Sequence, residues 1–277
     1  MEQQNYEYQL QPAKQSGYAP VNGLRLYYEI EGAGDPLVYV GMGFSVAGVT
    51  RLAALTSRRK VISLDLQGRG RTADIDRPLS FGQQAEDVIG LLDHLEIETA
   101  DLLGECVGGI VAMLIAIRHP DRVRRVITYG SSLGRFEEAI KPEIAAGAMK
   151  LTPGSPVLEF QRTRYCEVAP DPSHWPEIFA RFNATPWNGI SGEEFASVKV
   201  PVLLAVGDQD WIRIDQTVGY FNSIPGAELA VIPDAGHFVL DAEPEKLLPF
   251  VERFLDRPET TLPFATSTVP YGRGFSR

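Results

Sequence analysis

The sequence predicts an α/β protein: a doubly wound, mostly parallel sheet with a helical cap inserted late in the chain. Three observations carry this. Short, continuous apolar runs alternate with amphipathic segments, as buried parallel strands alternate with covering helices. That rhythm breaks over residues 131–198, which hold seven prolines, Trp175 and Trp187 but no clean buried strand. It then resumes and runs to residue 257. The expected division is a core of residues 18–130 and 199–257, a cap of 131–198, and terminal extensions of 1–17 and 258–277.

The elements follow in order. Residues 1–17 read as a loose polar arm. "GLRLYYEIEG" alternates with period two, as a half-buried strand does. "PLVYVG" and "KVISLDLQGRG" are apolar runs that end in glycine, the pattern of buried strands. "SFGQQAEDVIGLLDHLE" predicts an amphipathic helix, with Ser80 as N-cap and Val88, Leu91, Leu92 and Leu95 on one face. "TADLLG" is a further strand. "VGGIVAMLIAIRHP" is a helix stopped by Pro120, and "RVITYG" is the next strand. Beyond the cap come the strand "VPVLLAVGDQD", the helix "IDQTVGYFNSI", the strand "AELAVIPDAGH" and the helix "EPEKLLPFVERFLDR".

Composition narrows the class of function. With 44% apolar and 22% charged residues, the 277-residue chain can bury a sizeable core. Its net charge of −10 repels phosphate backbones, so nucleic acid is not an expected partner. Two cysteines sixty residues apart make no disulfide framework, which fits a reduced, cytoplasmic setting. The polar N-terminus has no signal-peptide core, and no apolar run reaches membrane-spanning length.

The chemistry gathers around "GECVGG", residues 104–109, between a strand and a helix. Gly104-Glu105-Cys106-Val107-Gly108 matches a nucleophile elbow, where a strained turn offers one side chain and glycines let strand and helix approach. The following helix start favours negative charge there. A nucleophile needs a base and a group to orient it. His237 in "DAGHF" follows the last strand on a loop. His94 and His119 fall in or at the end of helices, and His174 in the cap is at most a substrate contact. "GDQD" puts Asp208 and Asp210 at the C-terminal end of a buried strand, the edge where ligands gather in open sheets. Asp210 is the expected orienter and Asp208 the alternative. Glu105 neighbours Cys106 on a strand and so points to the opposite face, which fits a structural hydrogen bond.

The order elbow, acid, histidine resembles that of the α/β-hydrolase superfamily. "DLQGRGRT", "RHPDRVRRVI" and "IPDAGHFVLDAEPEKL" resemble the superfamily's other segments, so the likeness runs from about residue 20 to 257. The resemblance implies a Cys106–His237–Asp210 triad. It implies an oxyanion hole from the amide of Val107 and that of Gly43, with Met42 or Phe44 as alternatives. "GMGF" replaces the usual His-Gly-x there. Most members carry serine at the elbow. Cysteine resembles the dienelactone hydrolases locally, and also cysteine-dependent thioesterases and cyclases.

The implied activity is acyl transfer on an ester, thioester or lactone, by hydrolysis or by cyclising release as in natural-product metabolism. The substrate is a small molecule or a carrier-bound acyl group. No metal or organic cofactor is implied. Three other readings stay open: a cofactor-free lyase or cyclase using His237 and Asp210 as an acid–base pair, a ligand-binding homologue without turnover, and a cysteine introduced in place of serine. Phe44 of the "GMGF" loop and, in the cap, Trp175 and Trp187 are candidates for a substrate pocket, with Cys166 and Phe179 beside the latter two. The competing role is a small core of the cap itself. The tail from Pro258 is expected either to be disordered or to pack on the cap or on the second subunit of a homodimer.

Overall fold

The computed structural model describes residues 15–44, 50–146 and 156–257. Eight strands form one sheet: β1 (Gln15–Val21), β2 (Leu24–Glu31), β3 (Asp35–Val40), β4 (Arg59–Leu64), β5 (Ala100–Glu105), β6 (Val123–Tyr129), β7 (Val202–Gly207) and β8 (Glu228–Ile232). Their order is β1-β2-β4-β3-β5-β6-β7-β8. Strands β3 to β8 run parallel, while β1 and β2 form an antiparallel hairpin that pairs with β4 at one edge.

That hairpin corrects the expected arm. Residues 15–17 belong to β1, paired with Tyr28 to Ile30. The cause is the Asn22-Gly23 turn, where both residues have positive φ (48° and 86°) as a two-residue hairpin of this hand requires. The expected arm at 1–14 and tail at 258–277 lie outside the described residues.

Helices cover both faces. On one side lie α1 (Phe81–His94) and α2 (Val107–Arg118). Ser80 caps α1 through its side chain, which accepts from the Gln83 amide at 3.1 Å. Helix α2 is apolar all round, and Val107 through Ala116 are buried between sheet and α1.

Between β6 and β7 the chain forms α3 (Phe136–Ala139), α4 (Pro142–Ala146), α5 (Pro156–Val168), α6 (Trp175–Asn183) and α7 (Gly192–Ala196), with no strand among the described residues there. After β7 come α8 (Ile214–Ser223), α9 (Val239–Ala242) and α10 (Pro244–Leu255). Helices α9 and α10, with the turn at 50–57, cover the second face through Val239, Leu247, Val251, Phe254, Leu52 and Leu55. Helix α3 is pinned to the loop after β7 by an antiparallel bridge, Ile140 to Ile212. The Lys141 amide donates to the Trp211 carbonyl (2.9 Å) and the Arg213 amide to that of Ala139 (2.8 Å).

Helix α6 is held to the β4–α1 loop by charge. Asp74 accepts from Gln67 Nε2 (2.7 Å) and from Arg181, and meets His174 Nε2 at 3.2 Å. No helix among the described residues is long and apolar enough to cross a membrane.

Candidate active site

Parallel strands end together at one sheet edge, and the candidate residues sit on the loops that leave it. Cys106 joins β5 to α2 with φ +55° and ψ −118°, a region that L residues rarely occupy. Its neighbours explain the glycines. A β-carbon on Gly108 would stand 1.9 Å from the Val40 carbonyl oxygen, and one on Gly104 2.4 Å from that of Gly108. The start of α2 thus lies directly against the ends of β3 and β5, and only glycine fits.

Asp210 follows β7 and His237 follows β8; both are almost fully buried, at 1% and 3% exposure. His237 Nδ1 lies 2.8 Å from Asp210 Oδ1, which also accepts from the Ile212 amide at 3.0 Å. That contact fixes the ring and leaves its other nitrogen for a reactant. Cys106 lies close enough to the ring to act on its charge. Burial works against the charged imidazole. The Asp210 carboxylate, with its hydrogen bond, and the neighbouring Cys106 outweigh it, so the His237 pKa stands well above 6.5.

Asp208, the alternative acid, makes no hydrogen bond or ion pair with His237, whose carboxylate partner is Asp210. Its amide donates to Ile232 (3.1 Å) and its Oδ1 is buried without a hydrogen-bond partner among the described residues. Glu105 is fully buried and accepts from the Tyr39 hydroxyl at 2.5 Å, a structural contact.

Cys106 and His237 open on a cavity of about 250 Å³. Met42, Gly43 and Val107 line it beside them, so both expected oxyanion positions face the same space. Gly43 has φ +37°, which glycine permits. The walls are aromatic and aliphatic: Phe81, Phe136, Phe182, Trp211, Ile140 and Ile212. Ser132, Gln161, Asn183 and Thr185 add neutral polar groups, and among the described residues no lysine, arginine or carboxylate side chain lines the cavity.

The expected pocket aromatics are not on that wall. Phe44 and Trp175 pack on each other, centroids 4.7 Å apart, in a cap cluster with Leu158, Tyr165 and Ile178. Cys166 and Phe179 pack against the same cluster. Trp187 is held away from the cavity because its indole N–H donates to the Gly134 carbonyl at 2.8 Å and its ring edges Phe81 at 5.3 Å. His174 is turned to Asp74 and Glu177, not to the cavity. These side chains are satisfied by apolar neighbours, backbone carbonyls or, for His174, carboxylates that amphipathicity alone does not identify.

Three residues at or behind the site carried no local signal. Trp211 lies flat on His237. Tyr129, fully buried under the site, donates to the Gly236 carbonyl at 2.5 Å and so holds the loop that carries His237. Arg69, also buried, donates to Gln84 Oε1 at 3.3 Å and sits over the Phe182 ring at 5.3 Å. Burial pulls its pKa down to about 10, against the opposing charges of Cys106 and Asp65. The glycines of "DLQGRG" foretold a turn there but not where Arg69 points.

Comparison with known proteins agrees with this architecture. A 2-hydroxymuconate semialdehyde hydrolase of Pseudomonas putida is 29% identical over 259 residues, covering 84% of this chain and 91% of that one. The enzyme of the same name from Pseudomonas sp. (strain CF600) is 40% identical over 120 residues, but this covers only 40% of this chain and 41% of that one. Among solved structures, the enol-lactonase from Burkholderia xenovorans LB400 superposes with a TM-score of 0.69 at 24% identity, over 87% of this chain and all of that one, a likeness of fold. The alpha/beta hydrolase family matches residues 32–249, the stretch that holds the elbow, the Asp210 loop and the His237 loop. With the same sheet and the same sheet edge carrying its candidate residues, the chain belongs to the alpha/beta hydrolase family.

Proposed function

We propose that this hydrolase acts on an uncharged ester, thioester or lactone through Cys106, His237 and Asp210. The observation that carries the reading is the buried His237–Asp210 contact of 2.8 Å, on a ring that lines the same cavity as Cys106. In the first half-reaction the sulfur bonds to the carbonyl carbon and the C=O π pair moves to oxygen. The amides of Val107 and Gly43 receive that charge. The oxygen then re-forms its double bond, the bond to the leaving group breaks, and His237 delivers the thiol's former proton to it. In the second, water or another nucleophile attacks the thioester, passes its proton to His237, and the sulfur leaves.

The cavity wall supports the choice of substrate. Among the described residues it offers aromatic faces and neutral polar groups, and no lysine or arginine to receive a permanent carboxylate. A 2-hydroxymuconate carries such a carboxylate by name, so the substrate proposed here differs from that of the Pseudomonas relatives.

The test uses p-nitrophenyl butyrate and an N-acetylcysteamine butyryl thioester. Turnover with a butyryl adduct on Cys106 by mass spectrometry, lost in Cys106→Ala, is the expected result. Turnover without an adduct, with full activity in Cys106→Ser, overturns the nucleophile role and favours acid–base chemistry by His237 and Asp210.

A further inference from the structure

One side of the cavity comes from the insertion instead of the core. Gln161 on α5 lines it on the side of Gly43. A β-carbon on Gly43 would stand 3.4 Å from Gln161 Nε2 and 3.7 Å from Gln161 Oε1, so the amide rests against the Gly43 backbone. Glycine at 43 leaves the room for it. Among the described residues the Gln161 side chain makes no hydrogen bond. Gln161 is half-buried, which leaves its amide free to meet a group in the cavity. The core loop on this side is also poor in donors: Gly41 and Met42 bring no polar side chain.

We propose that Gln161 donates to the oxygen of the reacting carbonyl, as a third oxyanion donor carried by the insertion. This rests on the acyl-transfer reading above. As Cys106 sulfur bonds to carbon and the π pair moves to oxygen, a hydrogen bond from Nε2 strengthens with the developing charge. Its contribution therefore falls on the acylation step and not on ground-state binding. A neutral amide suits a carbonyl that is uncharged before attack, in keeping with walls that hold no lysine or arginine among the described residues. The oxyanion site is complete only when α5 is seated over Gly43.

The test replaces the donor with an apolar chain of similar length, Gln161→Met, with Gln161→Leu as a second variant. Circular dichroism and thermal melting check the fold of each. Acylation by p-nitrophenyl butyrate is followed by the burst of p-nitrophenolate. The acylation rate constant is expected to fall roughly 100-fold, with KM little changed. Butyraldehyde, which the thiol converts to a tetrahedral thiohemiacetal, should lose affinity in parallel, while butanol should not.

Gln161→Glu, which sets a carboxylate beside the developing charge, should be at least as slow. Acylation at the unsubstituted rate in either apolar variant overturns the inference and leaves the Cys106 reading standing. An equal loss for butyraldehyde and butanol overturns it too, because a purely structural role acts on both. No Cys106 adduct in the unsubstituted enzyme overturns the acyl-transfer reading and this inference together.

Discussion

The indole of Trp211 lies parallel to the imidazole of His237, with 4.3 Å between centroids and 10° between planes. The Phe238 ring meets both edge-on, at 5.1 Å and 5.6 Å. The face of an indole attracts a cation, and the stack also stops the imidazole from swinging off Asp210. Trp211→Ala is expected to lower kcat/KM about tenfold, matching a cation–π contribution of about 1–2 kcal/mol. Trp211→Phe should keep most of the activity. Steady-state kinetics on the two variants provide the check.

The state of His237 sets a pH dependence. Its folded pKa is raised above the ordinary 6.5, so protonation of His237 favours the folded form. That stabilisation is complete below the unfolded value. It is lost as pH rises from about 6.5 through the raised folded value. Burial opposes the raise, and Asp210 is the strongest group that drives it. Asp210→Asn should therefore move the titration of the His237 C2 proton to lower pH by NMR. Melting temperatures in the same variant should depend less on pH across this window.

Tyr129 should act on the site through the loop it holds. Burial, and then the charges of Asp210, Glu105 and Asp208, push its hydroxyl far above the usual phenol range, so it remains a donor. Tyr129→Phe keeps the ring but leaves the Gly236 carbonyl without this bond. A stability loss of about 1–2 kcal/mol is expected from denaturant unfolding, together with a fall in kcat. Unchanged values of both would show that the Gly236 contact does not position His237.

Gly108 tests the packing of the elbow. Its added β-carbon would meet the Val40 carbonyl, a backbone atom that cannot swing aside. Gly108→Ala should cost about 3 kcal/mol of stability and a large part of the activity, read by chemical denaturation and kinetics. Gly192, with nothing within 4 Å of an added β-carbon, provides the neutral control as Gly192→Ala.

Asp74 tests the hold on α6. Its carboxylate is buried, and removing it strands Arg181 beside Phe182, a residue of the cavity wall. Asp74→Ala should raise KM for p-nitrophenyl butyrate while alkylation of Cys106 by iodoacetamide stays at least as fast. Equal KM values would show that α6 keeps its place without this ion pair.

The sheet was legible because its parallel strands are buried on both faces and read as unbroken apolar runs, as "ADLLGE" of β5 does. Strand β1, "QSGYAPV", is an edge strand with an alternating, partly exposed pattern, so only its Asn22-Gly23 turn announced it. The positions of Cys106, Asp210 and His237 at strand ends were legible for the same reason, since strand ends were. The cavity wall was not. Trp175 and Phe182 are both aromatic residues on α6 that pack on Phe44, and nothing in helical period tells that only Phe182 also reaches the cavity. Trp211 was hidden because its partner is 26 residues away and set by the pairing of β7 with β8.

The bridge between Ile140 and Ile212 sets where this chain can be cut and recombined. Residues 139–141 belong to the insertion by sequence, yet they hydrogen-bond the segment that carries Trp211 and Arg213. A chimera that exchanges the insertion at the end of β6 would replace half of that ladder and shift the backbone just after Asp210. Junctions placed after Lys141 and before β7 exchange Gln161, Phe182, Asn183 and Thr185 of the cavity wall and leave the loop after Asp210 with its own partner. The interchangeable module is therefore shorter than the break in the strand–helix rhythm makes it look.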